Sequence, residues 1–330
     1  MNLKMKFGVI GCSEIAKKSG ILAIKNSKNS TLQSLGSRSN LKAKRFAKQF
    51  SIPEFGSYEE VLENDKIDAV YISLPISLHE KWVLKAAKFG KHILCEKSAT
   101  ISKDSAKKMI KECKKNDVRI MENFVFKFHP QHKKIIDMIN KNFIGNVNSF
   151  HGKYGFNLQK TKQNFRFNKK LGGGSLNDVG CYLVAASQFI FKNMPVSVYS
   201  NLEIDKNSKI DECGHVILTY PKNKITNFSF GYKNYFQSTY EIWGERGTIV
   251  SERAFNVKNK TSVSVKLHKN DKIKDVRIKP VNQFQLAIEG FTDVIQGKKK
   301  GNFEKDLLDQ SLIMDSIRES SVKRKVIFLK

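Results

Sequence analysis

The stretch FGVIGCSEIA, residues 7–16, governs the reading of the whole chain. Its first four residues have the length and apolar character of a short buried strand, and Gly11 ends them where a tight turn needs a residue without Cβ. The frame Gly11-Cys12-Ser13-Glu14-Ile15-Ala16 then opens a helical pattern. Strand, glycine turn and helix in that order are the setting of a dinucleotide-phosphate turn of the form G-x-G-x-x-G/A, here with Ser13 in the second glycine's place. Gly11 supplies the turn and Ala16 lets the helix approach the strand. Ser13 is small enough to leave a pyrophosphate near the helix amino end and has a hydroxyl to donate to it. Gly11, Cys12, Ser13, Glu14 and Ile15 are therefore expected to line the phosphates of a dinucleotide.

Outward from this turn, short apolar runs at 6–10, 31–35, 68–73, 92–95 and 118–121 alternate with amphipathic segments. Two of these are HEKWVLKAAKFG (79–90), closed by Gly90, and SKDSAKKMIKECKKND (102–117), opened by Ser102 as N-cap. Repeated strand–helix–strand units predict a doubly wound parallel sheet, a Rossmann domain over residues 1–122. The end of its second strand reads LGSRSN (35–40), where an acidic residue would favour the ribose hydroxyl of NAD. Ser37 and Arg38 stand there instead and suit a ribose phosphate. NADP(H) is the expected cofactor, with NAD(H) as the other possibility.

Residues 123–330 follow a different pattern. A helix is expected after His129-Pro130 (131–140), a strand over 147–158, and a second helix from the glycine triplet at 172–174 through Ile190. Runs rich in β-formers follow at 196–204, 215–220, 225–232, 239–243, 248–251 and 262–267, with Pro221-Lys222-Asn223-Lys224 as a hairpin link, and late helices at 284–296 and 305–320. This half reads as an α/β domain with a large open, mostly antiparallel sheet, helices on one face, for substrate binding and oligomerisation. An uncovered apolar sheet face predicts a homodimer or homotetramer.

The 59 Lys and Arg against 31 Asp and Glu leave a formal charge of +28. Most of it is lysine spread over every predicted element, and the scarcity of arginine points away from nucleic acid and toward a compositional bias. A positive field still favours encounters with anionic small molecules. No apolar run is long enough to span a bilayer, and the amino end flows straight into the glycine motif, so the expectation is a cytoplasmic protein without a membrane partner. The five cysteines lack any C-x-x-C spacing and read as reduced, buried thiols. His129 and His132 have no carboxylate or cysteine cluster nearby, and no metal is expected.

Three further stretches are SLPISLHEKWVLKAAKFGKHILCEKSAT (73–100), IMENFVFKFHPQH (120–132) and NFRFNKKLGGGSLNDVGCYLVAAS (164–187). In order and spacing they resemble the glucose–fructose oxidoreductase / inositol dehydrogenase (Gfo/Idh/MocA) family over nearly the whole chain, most closely its sugar 3-ketoreductase and dihydrodiol dehydrogenase-like branch. The resemblance implies hydride transfer between a nicotinamide and a sugar or polyol carbon. It maps the family's E-K-P lysine, which sits beside the nicotinamide and the reacting oxygen, to Lys97, with Glu96 before it, and implies cofactor contacts for both. The D-x-G-x-H/Y pattern maps to Asp178 and Tyr182, which makes Tyr182 a second proton-handling group and Asp178 an orienting or substrate-binding carboxylate. It further implies cofactor contacts for Leu74, Pro75 and His79. Asn123, at a strand end in the cofactor crevice, and Arg166, a phosphate partner for cofactor or substrate, complete the expected set.

The chemistry supports these residue types. Reducing a ketone takes a hydride on one face, a proton from a positioned acid, and positive charge near the oxygen as it becomes an alkoxide. A phenol near an ammonium has its pKa lowered toward working pH. Two departures from the family pattern stand out: Ser13 for glycine, and Ser98 for the proline after the lysine, which restores an N–H and loosens the backbone there. The expected activity is an NADP(H)-dependent oxidoreductase reducing a keto group of a nucleotide-linked sugar. The alternatives are a free-sugar or diol dehydrogenase running toward oxidation and, from another class, a non-catalytic NADP(H) sensor or nucleic-acid-binding protein. Lys153, Asn157, Gln163 and Asn177 are candidates for touching the substrate.

Overall fold

The computed structural model describes residues 4–161 and 164–329. They form two compact units: residues up to Phe124 with Phe284–Leu308, and Val125–Gln283 with the chain from Asp309 onward.

The first unit is built on six strands, β1 (Met5–Ile10), β2 (Ser30–Gly36), β3 (Glu54–Gly56), β4 (Ala69–Ile72), β5 (His92–Cys95) and β6 (Ile120–Glu122). All pair in parallel, in the order β3-β2-β1-β4-β5-β6. The doubly wound sheet is as expected; β3 was not anticipated, because Glu-Phe-Gly has no apolar run to signal it. Helices α1 (Ile21–Asn26), α2 (Asn40–Phe50), α3 (Tyr58–Glu63), α4 (His79–Lys88) and α5 (Lys103–Lys115) connect the strands. Their starts follow local chemistry: Ser39 and Ser102 cap α2 and α5, and Ser57 with Glu60 forms a capping box on α3. β4 is buried along its whole length, as a central strand covered by helices on both faces must be. Strand order reverses between β1 and β4, so a crevice opens at their carboxyl ends, where Gly11, Leu74 and Lys97 follow their strands.

The second unit carries nine strands: β7 (Val147–Asn157), β8 (Ser197–Ile204), β9 (Asp211–Tyr220), β10 (Lys224–Gly231), β11 (Lys233–Gly244), β12 (Gly247–Ser251), β13 (Val263–Lys269), β14 (Lys272–Ile278) and β15 (Ile327–Phe328). Their order is β14-β13-β12-β11-β7-β10-β9-β8-β15. Every pairing is antiparallel except β7 with β10. Pro221–Asn223 joins β9 to β10, with Lys224 opposite Tyr220, as the hairpin reading required. Alternation sends Phe150, Tyr154, Val216, Leu218, Phe228, Phe230, Tyr240 and Ile242 into the core beside α6 (Pro130–Asn140) and α7 (Cys181–Phe191). Each such side chain contributes roughly 1.5–3 kcal/mol by leaving water. The other face keeps Tyr199, Ile217, Ile225 and Trp243 exposed.

Beneath the sheet, His132 is fully buried: its Nδ1 accepts from the Tyr240 hydroxyl at 2.7 Å, and its Nε2 donates to the Ala254 carbonyl at 2.8 Å. Both ring nitrogens are thus used, so His129 and His132 do not make a metal pair. Burial pushes the His132 pKa down to about 3 and that of His129 to about 4. A histidine whose folded pKa lies below its unfolded value of ~6.5 destabilises the fold as pH falls, because the unfolded chain then binds the proton that the folded one refuses. Urea unfolding of this unit should therefore show a loss of about 2 kcal/mol per histidine between pH 7 and pH 5. A stability that stays flat over that range contradicts the assignment.

The last two helices, α8 (Gln283–Ile295) and α9 (Phe303–Lys323), alter the expected division of the chain. The sequence reading placed all of residues 123–330 in the second domain, but Phe284–Leu308 belongs with the first unit. Phe291 packs on Phe7 of β1 with ring centres 6.1 Å apart. Glu304 takes a bidentate ion pair from Arg119 at 2.7 and 2.9 Å. Asn29 donates to the Glu289 carbonyl and to Asp293. These partners are far apart in sequence, so no local pattern announces the return. All five cysteines are free thiols, four of them buried. Among the described residues no helix is long and apolar enough to cross a membrane.

Candidate active site

The expected site residues fall into two groups, one in each unit. In the first, Gly11 has φ +111°, and a Cβ there would stand 2.8 Å from Leu74 Cδ2 and 3.1 Å from the Ser73 carbonyl oxygen. Only glycine fits. Ser13 Oγ accepts from the Ala16 N–H at 3.1 Å and so caps the helix that follows, which leaves its own proton available to an anion. That helix begins as a π-type turn (Ala16–Gly20) before α1, and Gly20 lies against the Tyr71 ring, where any Cβ would collide. Cys12 is buried, while Glu14 and Ile15 are exposed. The cradle and the helix amino end fit a dinucleotide pyrophosphate.

At the end of β2, Ser37 is buried and Arg38 exposed. Burial pushes the Tyr58 hydroxyl pKa up, and the Arg38 charge beside it draws it partly back. Burial likewise raises the Cys12 thiol pKa, offset by a hydrogen bond with Ser37 and the charge of Lys42. Arg38 thus stands near Tyr58 and Lys42 near Cys12, and no carboxylate occurs in 35–40.

Glu96-Lys97 follows β5. The buried Glu96 carboxylate turns back into the sheet end, where its Oε1 accepts from the Tyr71 hydroxyl at 2.7 Å and from Asn123 Nδ2 at 2.8 Å. Burial raises its pKa; the two donors and the Lys97 charge oppose that shift. Lys97 is half-buried, and the Lys97–Ser98 peptide is cis. The backbone beyond it is tied rather than loosened. The Ala99 N–H donates to Glu122 Oε1 at 2.8 Å, and the Ser98 and Ala99 carbonyl oxygens lie 3.1 and 3.2 Å from His79 Nδ1.

His79 requires a correction. It is 1% exposed, with Nε2 2.8 Å from the Leu74 carbonyl oxygen, so its ring bridges the Leu74-Pro75 turn to the segment after Lys97 and has no edge left for a cofactor. Glu96 and Asn123 are likewise enclosed, at 8% and 2% exposure. These three support the cofactor crevice from below, whereas Leu74 and Pro75 remain partly accessible.

In the second unit, the glycine triplet makes the turn that precedes α7. Gly172 and Gly174 have φ of +81° and +120°. Asp211 Oδ2 accepts from the Ser175 hydroxyl at 2.9 Å and from the Leu176 N–H, and the Tyr232 hydroxyl donates to the Gly174 carbonyl at 3.0 Å. A π-type turn, Leu176–Gly180, then presents Asp178 and leads into α7. Arg166 Nε donates to Asp178 Oδ2 at 2.6 Å. Burial works against the Arg166 charge, but Asp178 outweighs it and raises the pKa, so Arg166 is held as the partner of this carboxylate. Tyr182 is half-buried among Tyr154, Phe255 and Phe126, with ring centres 5.3, 5.4 and 5.9 Å away.

The candidate substrate contacts fare less well. Lys153 and Asn157 alternate with Tyr154 on β7 and face away from the Tyr182 side of the sheet. Asn177 is buried, donating to the Gly172 carbonyl and accepting from Arg318 Nη2 at 2.6 Å. Gln163 lies outside the described residues. An open cavity of about 480 Å³ beside the glycine turn is lined by Lys160, Phe167, Asn168, Lys169, Lys170 and Ser208, among others. Sequence reasoning missed Tyr71, Asp211 and Tyr232. Only Tyr71, an aromatic with a polar tip inside a buried run, left a local signal.

A parallel dinucleotide sheet whose strand ends carry a glycine cradle and a braced lysine, on a chain that also holds an ion-paired aspartate and a tyrosine on one helix, defines a nicotinamide-dependent oxidoreductase. The family comparison agrees. Residues 5–124 match the oxidoreductase family with an NAD-binding Rossmann fold, and 132–250 match the GFO/IDH/MocA C-terminal domain. The chain belongs to the Gfo/Idh/MocA family, and it is an NAD(P)-dependent enzyme acting on CH–OH or ketone groups. It is 28% identical over 315 residues, 95% of each chain, to a dTDP-3,4-didehydro-2,6-dideoxy-α-D-glucose 3-reductase of Actinomadura kijaniata. A trans-1,2-dihydrobenzene-1,2-diol dehydrogenase of Xenopus tropicalis is 30% identical over 67% of this chain and 71% of its own. Among solved structures, KijD10, a 3-ketoreductase from Actinomadura kijaniata in complex with NADP and TDP-benzene, superposes with a TM-score of 0.90 at 27% identity, covering 96% of this chain and 98% of its own. KijD10 has also been solved with a tyrosine replaced by phenylalanine and with a lysine replaced by alanine or glutamate.

Proposed function

We propose that the protein is an NADP(H)-dependent ketoreductase that reduces the keto group of a nucleotide-linked sugar. The observation that carries this reading is the full-length likeness to a dTDP-sugar 3-reductase, in sequence and in a fold solved with NADP and a TDP compound. Two features of the chain support it: Ser37-Arg38, without a carboxylate, at the end of β2, and a positive charge suited to a diphosphate-bearing substrate. Lys97 and Tyr182 stand at almost the same separation along the chain as the lysine and tyrosine altered in KijD10.

Bound NADPH supplies the hydride. Lys97 places positive charge at the carbonyl oxygen as it gains electron density, and Tyr182 delivers the proton that completes the alcohol. Asp178, held by Arg166, presents a fixed acceptor to the sugar hydroxyls. The exposed apolar residues of the large sheet support a homodimer or homotetramer formed through that face, and elution as a monomer at micromolar concentration would remove this part of the reading.

The likeness to a diol dehydrogenase favours a second reading, oxidation of a free diol or sugar with NADP⁺. An assay of nicotinamide absorbance separates the two. The expected result is faster NADPH consumption with dTDP-3,4-didehydro-2,6-dideoxy-α-D-glucose than with the same keto sugar lacking its nucleotide, and slower rates with NADH. Equal rates with and without the nucleotide, or turnover confined to free diols and NADP⁺, would sink the first reading.

A further inference from the structure

The geometry points to Tyr71 as a positioning residue: we propose that its hydroxyl, acting with Asn123, holds the Glu96 carboxylate so that Lys97 is fixed at the mouth of the cofactor crevice. The inference rests on the reading of Lys97 as the residue that serves the carbonyl oxygen. Tyr71 lies on β4, fully buried, and belongs to none of the motifs that mark the site. Its hydroxyl reaches the carboxylate of the residue just before Lys97, 2.7 Å away. Asn123, following β6, donates to the same Oε1 at 2.8 Å, and its own N–H donates to the Cys95 carbonyl at 2.8 Å.

Two donors converging on one buried oxygen leave the carboxylate little freedom to rotate, and the Glu96 N–H is itself bound to the Ile72 carbonyl at 3.0 Å. The residue before Lys97 is thus locked from β4 and β6, while His79 and Glu122 tie the two residues after it. Tyr71 also meets the helix that follows the cofactor turn, since its ring packs where Gly20 lacks a side chain. One buried ring therefore couples the helix at the pyrophosphate turn to the lysine. Its hydroxyl can be removed without disturbing that packing.

Tyr71→Phe should lower kcat about 10- to 100-fold, the scale of a misplacement near 1 Å, with KM for NADPH and for the dTDP-linked keto sugar within about twofold. Glu96→Gln should lower kcat at least as far. The double variant should be no worse than Glu96→Gln alone, because both changes act through one carboxylate. A wild-type kcat in Tyr71→Phe, or losses that multiply in the double variant, overturns the inference. A crystal structure of Tyr71→Phe with NADP⁺ gives a test that needs no sugar: Glu96 and Lys97 unmoved would also overturn it. Lys97→Ala measured alongside keeps the two ideas apart. Full turnover in Lys97→Ala overturns the parent reading, and this inference with it, whereas a dead Lys97→Ala beside a fully active Tyr71→Phe overturns the positioning role alone.

Discussion

Turnover in Lys97→Ala is expected to fall by about 10³-fold or more, with NADPH affinity and Tm close to wild type. The size follows from two effects lost together: the positive charge that meets the developing alkoxide, worth about 10²–10³ when a single preorganised donor is removed, and part of the proton transfer, worth about 10²–10⁴. The fold should tolerate the change because Lys97 is half-buried and lies past the end of β5, outside the apolar core. Lys97→Arg is the sharper variant, since it keeps the charge but spreads it over a planar fork that is bulkier than an ammonium. Stopped-flow absorbance at the nicotinamide band, with NADPH fluorescence for binding, measures both quantities. A Lys97→Ala enzyme within tenfold of wild type would remove Lys97 from the chemistry.

Tyr182→Phe is expected to cost about 10²- to 10³-fold in kcat, with little change in KM. The ring sits among Tyr154, Phe255 and Phe126, and phenylalanine preserves those three contacts, so the loss reports the hydroxyl alone. In wild type, the acidic and basic limbs of the kcat profile should reflect groups that donate and accept the proton. In Tyr182→Phe the limb that belongs to the phenol should vanish. A profile unchanged in shape would assign the proton to another group.

Much of this arrangement was legible because it is written in local spacing. Gly11 at a strand end, Ser102 before an amphipathic run and the glycine triplet before Tyr182 each act on neighbours within a few residues, and the structure places each at the start of the expected helix. What stayed hidden depends on partners distant in the chain. His79 and Glu96 carry motif signatures that suggest contact with a cofactor, yet they are held by Ser98, Tyr71 and Asn123, and only the folded sheet brings these together. Arg166 illustrates the same limit. A lone arginine before a glycine turn reads as a phosphate ligand, and nothing in the sequence reveals that Asp178, twelve residues on, claims its Nε. Strands β3, β14 and β15 escaped notice for a different reason: they lie at or near sheet edges, where short or charged segments satisfy the backbone without an apolar pattern.

The return of Phe284–Leu308 to the first unit bears on how such a chain is made and how it can be rearranged. On the ribosome, the six parallel strands emerge long before Phe291 and Glu304, so the nascent cofactor half must wait for more than half of the polypeptide before Phe7 and Arg119 meet their partners. Gene fusion faces the same interlacing. A breakpoint after Phe124 would carry off a Rossmann sheet stripped of the contacts that Phe291 and Glu304 make with Phe7 and Arg119, and a transplantable cassette would need two excisions in place of one.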